Sequence, residues 1–519
     1  MDKMKKLIII PILFFSLILS ATNHYVATKG SGTGTIGNPF NTLTQVNTHV
    51  YVAGDSILFN RGDTFYGTLS IAQSGSISKP IIIGAYGIGV NPIISEFTSV
   101  SVWTNLGGNI WESTNAVSTL STCNMVTING VNTPMGRYPN SGYFTFQSHS
   151  GTTSITTNRL NGTTNWTGAE LVIRTKQFVL DRNVITGQSI STLTYGPVVS
   201  MLELTNGYGF FIQNDVRTLD SINEWYYNPS TKKIRIYSTN EPVNVKVSSV
   251  NFTCELWKNY LTFQNITFEG ANNYNFDSSW SGGNTNITIR NCNILNAGID
   301  AIRLTSLANL LIEDNIIMDS NNNGINLQWN DLNAIIRNNT IVNSGIYAGM
   351  GQNGMRQYSG IAPGYRNTCD GMVIEYNNVI NSGYIGIAFE GDLVLVKNNF
   401  VDTYCTVLED GGGIYTNNEG SINSRSIITG NIVLNGIGAI NGTDHLWESN
   451  VNGIYLDNES DDIEVCLNTV SKSFNYGLFV HDADNFNIHN NTFLDNGIHL
   501  SISDTIKKGS IQDNKFILK

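Results

Sequence analysis

Beyond residue 250 the chain alternates apolar and polar positions in short runs broken by Asn, Gly and Ser, and no stretch keeps the three-to-four-residue apolar spacing of a helix. In runs such as AIIRNN, TIVNS and GINLQW inward Ile, Leu and Val alternate with polar residues, so each predicts a short strand with one buried face. One phrase recurs among them, Asn or a neighbour followed by a variable and then an apolar residue: RNNTI, YNNVI, KNNFV, GNIV, LNTV, NNTF and DNKF. Its middle position falls at Ile266, Cys292, Asn315, Asn339, Asn378, Asn399, Asn431, Asn468, Asn491 and Asn514, in steps of 26, 23, 24, 39, 21, 32, 37, 23 and 23. The base period is about 23 residues, with three strands per period.

Short strands at constant period predict an all-β fold, a right-handed parallel β-helix whose coils stack about 4.8 Å apart with equivalent residues in columns. Asn at a fixed turn then forms a ladder of side-chain amides, each both donating and accepting. The three long steps are loops added to tight coils, and such insertions gather on the binding face of a solenoid. About ten coils are expected beyond residue 250. Upstream, HYVATKGSGTGTIGNPFNTL, GDSILFNRGDTFYGTLSI and KPIIIGAYG read as a cap and first coils over residues 22–135. From about Gly136 to Val250 the repeat lapses, and GYGFFIQND with EWYYNPSTKKIRIYS predicts antiparallel hairpins. Residues 136–250 are read as an inserted antiparallel β-sandwich-like domain, with Trp225, Tyr226 and Tyr227 in its core, and residues 251–519 as the main β-helix.

Composition narrows the functions. Only 13% of residues are charged and 50 are Gly, which excludes a coiled coil or a charge-rich disordered chain. A net charge of −11 without a basic tract leaves nothing to neutralise phosphates, so no nucleic-acid partner is expected. Lys3, Lys5 and Lys6, the apolar run Leu7 to Leu19 and the small pair Ser20-Ala21 read as a cleavable signal peptide over residues 1–21. The run is shorter than a bilayer span, so a secreted or periplasmic protein, free of the membrane after cleavage and acting as a monomer, is expected. The six cysteines lack metal-type spacing and read as buried fillers, with Cys369 and Cys405 as the candidate bridge.

The third strand of each coil aligns on its start: AIRLT, GINLQ, GIAPG, GIAFE, GIYTN, GIYLD, GLFVH and GIHLS. With positions two and four inward, the outward columns hold Ala388, Tyr415, Tyr455 and Phe479, then Glu390, Asn417, Asp457 and His481. Glycosidic bond hydrolysis needs two carboxyl groups, one to protonate the leaving oxygen and one to attack or to activate water. Asp410 in LEDGGGIY and Asp457 in NGIYLDNES sit at the ends of equivalent strands one coil apart. Glu390 with Asp457, two coils apart at roughly 9.6 Å, is the alternative pair. Glu459 and Glu409 are reserves, and strand alternation is expected to turn Glu409 away from Asp410. Tyr415, Tyr455 and Phe479 form a stripe on which sugar rings can stack. Asn417, His445, Trp447, His481 and Arg356 are candidate substrate contacts, and Glu448 and Arg366 lie in the same loops.

The opening is similar to that of secreted β-helix carbohydrate-active enzymes. DGGGIY followed one coil later by GIYLDNES resembles the signature region of β-helix glycoside hydrolases, most closely family 141 (fucosidases and xylanases) and more loosely family 120 (β-xylosidases), and MGRYPN belongs to the same resemblance. It implies Asp410 and Asp457 as acid and nucleophile-or-base, order open, on a plant or algal cell-wall polysaccharide or oligosaccharide. No cofactor is required. A Ca²⁺ site from Asp457, Glu459, Asp461 and Asp462 is conceivable, although their spacing lacks the Asp-x-Asp-x-Asp-Gly logic of a calcium loop. Two alternatives stay open: a polysaccharide lyase, for which this face lacks a Lys/Arg pair in register, and a glycan-binding β-helix without catalysis.

Overall fold

The computed structural model describes residues 21–160, 164–278, 283–329, 332–362, 369–418, 424–445, 449–503 and 508–518. The signal segment to residue 20, and Arg366, Trp447 and Glu448, lie outside the described residues.

Three long parallel sheets of 13, 12 and 11 strands wind into a β-helix. Ten of the 13 strands of the first sheet follow residue 250, from Leu261–Gln264 to Gly509–Gln512, one per coil. Aliphatic side chains from all three sheets, such as Ile336, Ile341 and Ile325, meet in one continuous core. Among the described residues helix is scarce: a six-residue helix, Leu43–Thr48, lies near the amino-terminal end behind the Thr42 cap. No helix among the described residues is long and apolar enough to cross a membrane.

The asparagine ladder is continuous. Asn315 Nδ2 donates to Asn339 Oδ1 at 2.9 Å, Asn339 Nδ2 to Asn377 Oδ1 at 3.0 Å, and the chain runs on through Asn399, Asn431, Asn468 and Asn491 to Asn514. The ladder member in the YNNVI coil is therefore Asn377, not Asn378. From Asn315 to Asn468 each ladder residue stands two before a buried aliphatic, here Val379, and directly after a residue of left-handed backbone, here Tyr376. Asn338, Asn398, Asn490 and Asp513 hold that left-handed place elsewhere, which is why the phrase so often reads as a doubled Asn.

The Gly-Ile alignment of the third sheet holds through Ile302, Ile325, Ile361, Ile387, Ile414, Ile454 and Leu478. In the last coil it slips by two, since Leu478 pairs with Leu500 and not with Ile498. The glycine is set by space. A Cβ on Gly386 would lie 2.4 Å from Val401 Cγ1 and 2.5 Å from the Gly413 carbonyl oxygen, and Gly360, Gly413 and Gly453 meet the corresponding Val just as closely.

Antiparallel structure begins at Phe97, ahead of residue 136, because strands Phe97–Val100, Val126–Ile128 and Val131–Asn132 share a sheet with Val245–Ser248. Their alternation is that of any half-buried strand, so direction could not be read from it. The insert interrupts the stack without breaking it. Ile81 pairs directly with Leu261, and Ile93 with Thr267, so the chain leaves at one coil and returns on the next. Besides that sheet it holds an eight-stranded and a second four-stranded sheet, with apolar clusters of its own. Trp225 and Tyr227 lie in one of them. All six cysteines are buried free thiols, and Cys369 and Cys405 are not bridged.

Candidate active site

The insert and two long loops leave the helix at the same corner, between the second and third sheets, and pack together there. The insert hairpin formed by Glu170–Lys176 and Val179–Ser189 points its tip at the third sheet. Buried Arg174 donates to the carbonyls of Val407 at 3.2 Å and Asn441 at 2.7 Å, and Gln177 accepts from the Glu409 amide at 3.2 Å. The hairpin is thus held against the segment that carries Asp410.

Asp410 precedes strand Gly411–Asn417, with left-handed backbone (φ 61°). Its amide donates to the Asn450 carbonyl at 2.7 Å, its Oδ1 accepts from Asn450 Nδ2 at 2.5 Å, and its carbonyl accepts from the Tyr384 hydroxyl at 2.6 Å. Gly411 is required by that tyrosine: a Cβ there would lie 2.5 Å from the Tyr384 ring. Burial pushes the Asp410 carboxyl up to about 7, the negative charges of Asp457 and Glu409 add to the rise, and His481 opposes it. Both carboxyl groups also act on Tyr415 and Tyr455, whose phenols are raised by burial first and by these charges second.

Asp457 ends strand Val451–Asp457 on the next coil, in register with Asn417. Donors surround it. The Tyr415 hydroxyl donates to Oδ2 at 2.8 Å, the His481 ring Nδ1 lies 2.8 Å from Oδ1, and the Asn458 amide donates to Oδ1 at 3.0 Å. Asn417 Nδ2 in turn donates to the Tyr415 oxygen at 3.3 Å. Asp410, Asp457, Tyr415, Asn417, Tyr455 and His481 therefore share one patch of the third sheet.

The aromatic column stands in the expected register, Tyr415 to Tyr455 to Phe479, but it is no open platform. Tyr455 is 4% exposed, and its ring stands at 80° to that of Tyr415 with centroids 5.3 Å apart. Outward-pointing residues are buried here because loops and neighbouring columns cover them, which alternation along a strand does not record. Glu390 and Arg356 form an ion pair at 3.0 Å, and Asn417 stands between Glu390 and Asp457 in the column. The Glu390 carboxylate and the Arg356 guanidinium are thus engaged with each other. Glu459 is exposed beyond the strand end. His445 reaches Gln177 Nε2 at 2.9 Å and lies 3.6 Å from Glu409 Oε1, beside the site and against the insert.

Glu409 departs from the alternation argument. It is fully buried, accepts from the Asn450 amide at 3.2 Å, and its charge acts on Asp410. The left-handed turn at Asp410 breaks the extended geometry on which alternation depends. Asn450 was also missed, although extending the Gly-Ile alignment three residues upstream sets it opposite Asp410. No sequence signal points to Tyr384, Arg174 or Gln177. Among the described residues Asp457, Glu459, Asp461 and Asp462 do not converge as a three-ligand group, so the calcium set of the sequence reading is not gathered.

No family model matches the chain, and no curated protein matches it. Solved structures do. A protein described as a glycoside hydrolase is 13% identical over 95% of this chain and 97% of its own, with a TM-score of 0.65. The GH136 lacto-N-biosidase from Eubacterium ramulus is 14% identical over 96% of this chain and 68% of its own, with a TM-score of 0.43. An alginate lyase from Paenibacillus sp. str. FPU-7 is 12% identical over 94% and 99%, with a TM-score of 0.39. The first of these likenesses establishes the fold. The likeness to families 141 and 120 rests on the sequence motifs alone.

Proposed function

We propose that the protein is an exported glycoside hydrolase acting on a plant or algal cell-wall polysaccharide or oligosaccharide, with Asp410 as the acid and Asp457 as the nucleophile or base. The observation that carries this reading is the contrast between the two carboxyl groups. A carboxyl raised to about 7 is still protonated in a large share of molecules at neutral pH and can deliver that proton to a leaving glycosidic oxygen. A carboxylate ringed by a tyrosine hydroxyl, an imidazole and a backbone amide is held in place to attack the anomeric carbon or to take a proton from water. Tyr415 and His481 position Asp457, and Asn450 positions Asp410. A location outside the cytoplasm rests on the basic and apolar pattern of residues 1–21.

The test is to incubate the purified protein with a panel of plant and algal polysaccharides and aryl glycosides, following reducing ends and the ultraviolet absorbance of an unsaturated uronate together. Asp410→Asn and Asp457→Asn are run beside it. Reducing ends without absorbance, lost in both variants, are expected. Absorbance would replace hydrolysis by β-elimination. Binding without turnover would leave a glycan-binding β-helix.

A further inference from the structure

Away from the catalytic face, the outer side of the first sheet carries a second chemical cluster. Strand Glu464–Cys466 points Val465 into the core and Glu464 and Cys466 to the opposite face of the sheet, where Cys466 is still buried, and Cys466 pairs in register with His489 of the next coil. The Glu464 carboxylate oxygen, Cys466 Sγ and a His489 ring nitrogen all lie within 4.8 Å of one another. His489 Nε2 is 2.9 Å from Glu464 Oε1, and the Cys466 thiol lies 3.2 Å from Thr429 Oγ1. Among the described residues no other group of three such side chains converges in this way.

We propose that Glu464, Cys466 and His489 form a binding site for a borderline-soft divalent cation, Zn²⁺ in the first instance, which ties two carboxyl-terminal coils together. The ligand set carries the choice of ion: thiolate, imidazole and carboxylate together suit Zn²⁺ and disfavour Ca²⁺ or Mg²⁺, which take oxygen alone. Geometry agrees. With bonds of about 2.0–2.3 Å, ligand atoms of a tetrahedral zinc stand roughly 3.3–3.8 Å apart, so the three donors need shifts well within side-chain rotation, and the fourth position is left to water. The second ring nitrogen already has a partner, since His489 Nδ1 is 2.9 Å from the Asn490 side-chain amide. Turned to present its oxygen, that amide accepts Nδ1–H and fixes the tautomer that binds metal through Nε2. Cys466 loses its proton to solvent and the imidazole shifts tautomer, so binding releases one proton.

The spacing hides this site from a search for metal motifs, because the ligands are an i, i+2 pair on one coil and a single residue 23 positions on. In a solenoid with a period near 23, that separation is adjacency.

Chelator-treated protein would be titrated with Zn²⁺ by calorimetry and with Co²⁺ by absorption, alongside Cys466→Ser and His489→Gln, each shown by circular dichroism to be folded. One equivalent of Zn²⁺ should bind, a thiolate-to-cobalt charge-transfer band should appear, and each variant should weaken Zn²⁺ binding by more than about tenfold. The band should vanish in Cys466→Ser. No binding at a several-fold excess of metal, binding unchanged in both variants, or cobalt bound without the thiolate band would overturn the proposal. The readouts do not involve glycan turnover, so the result stands apart from the assignment of Asp410 and Asp457.

Discussion

The surroundings that disfavour the charged form of Asp410 have a stability cost that Asp410→Asn should remove. A carboxyl moved from 3.8 to about 7 has its charged form disfavoured by about 4 kcal/mol in the fold. Asp410 is partly open to solvent, and screening brings that to about 2–3 kcal/mol. The sign follows from proton counting. Between pH 3.8 and about 7 the unfolded chain has released this proton while the folded protein keeps it, so stability falls as pH rises through that window and the full cost stands above it. Asparagine carries no charge, and its carbonyl oxygen can still accept from Asn450 Nδ2. With an unfolding entropy of roughly 2 cal/mol/K per residue over about 500 residues, 1 kcal/mol is worth about 1 °C. The variant should therefore melt about 2–3 °C above the parent at pH 8 and level with it near pH 3.5, by differential scanning fluorimetry across a pH series. An equal offset at every pH, or a less stable variant at pH 8, would refute a carboxyl raised by its surroundings.

Three further outcomes are expected. Asn339→Leu strips the acceptor from Asn315 N and Nδ2 and the donor from the carbonyl of Ile312, each loss costing about 1–3 kcal/mol, so the melting temperature should fall by several degrees; an unchanged melting curve would contradict the ladder. Leu467 is 63% exposed with a φ of 58°, a backbone that Asn accepts more readily, so Leu467→Asn should stabilise by about 1 kcal/mol in denaturant titration. If Asp410 is the acid, kcat/KM should fall above pH 7 about tenfold per unit, and Glu409→Gln, which removes a negative charge that raises Asp410, should move that limb to lower pH; a limb that stays in place would detach Glu409 from the site.

Much of the molecule is written in its period. Short strands, alternation of period two and an Asn at each turn leave a chain no ready way to bury its aliphatics except by stacking coils, so the β-helix follows from local pattern repeated. The same regularity brought Asn417 beside Asp457 and Tyr415 beside Tyr455 before any coordinates, because register in a solenoid is a matter of counting. Counting failed where the period failed. It placed the ladder one residue late at Asn378, kept the last coil two residues out of step, and began the antiparallel insert at residue 136 where strand pairing begins it at Phe97. Columns also say which residues are neighbours and not what lies above them. The burial of Tyr455, the pairing of Arg356 with Glu390 and the packing of Arg174 and Gln177 behind Glu409 come from loops and an insert far away in sequence. Sequence thus determined the stack and the pair of carboxyl groups on its face. Only the tertiary structure decided that one of them has its charged form disfavoured and the other is ringed by donors, because partial burial and charge–charge distance depend on what folds over the face, and no local pattern encodes that.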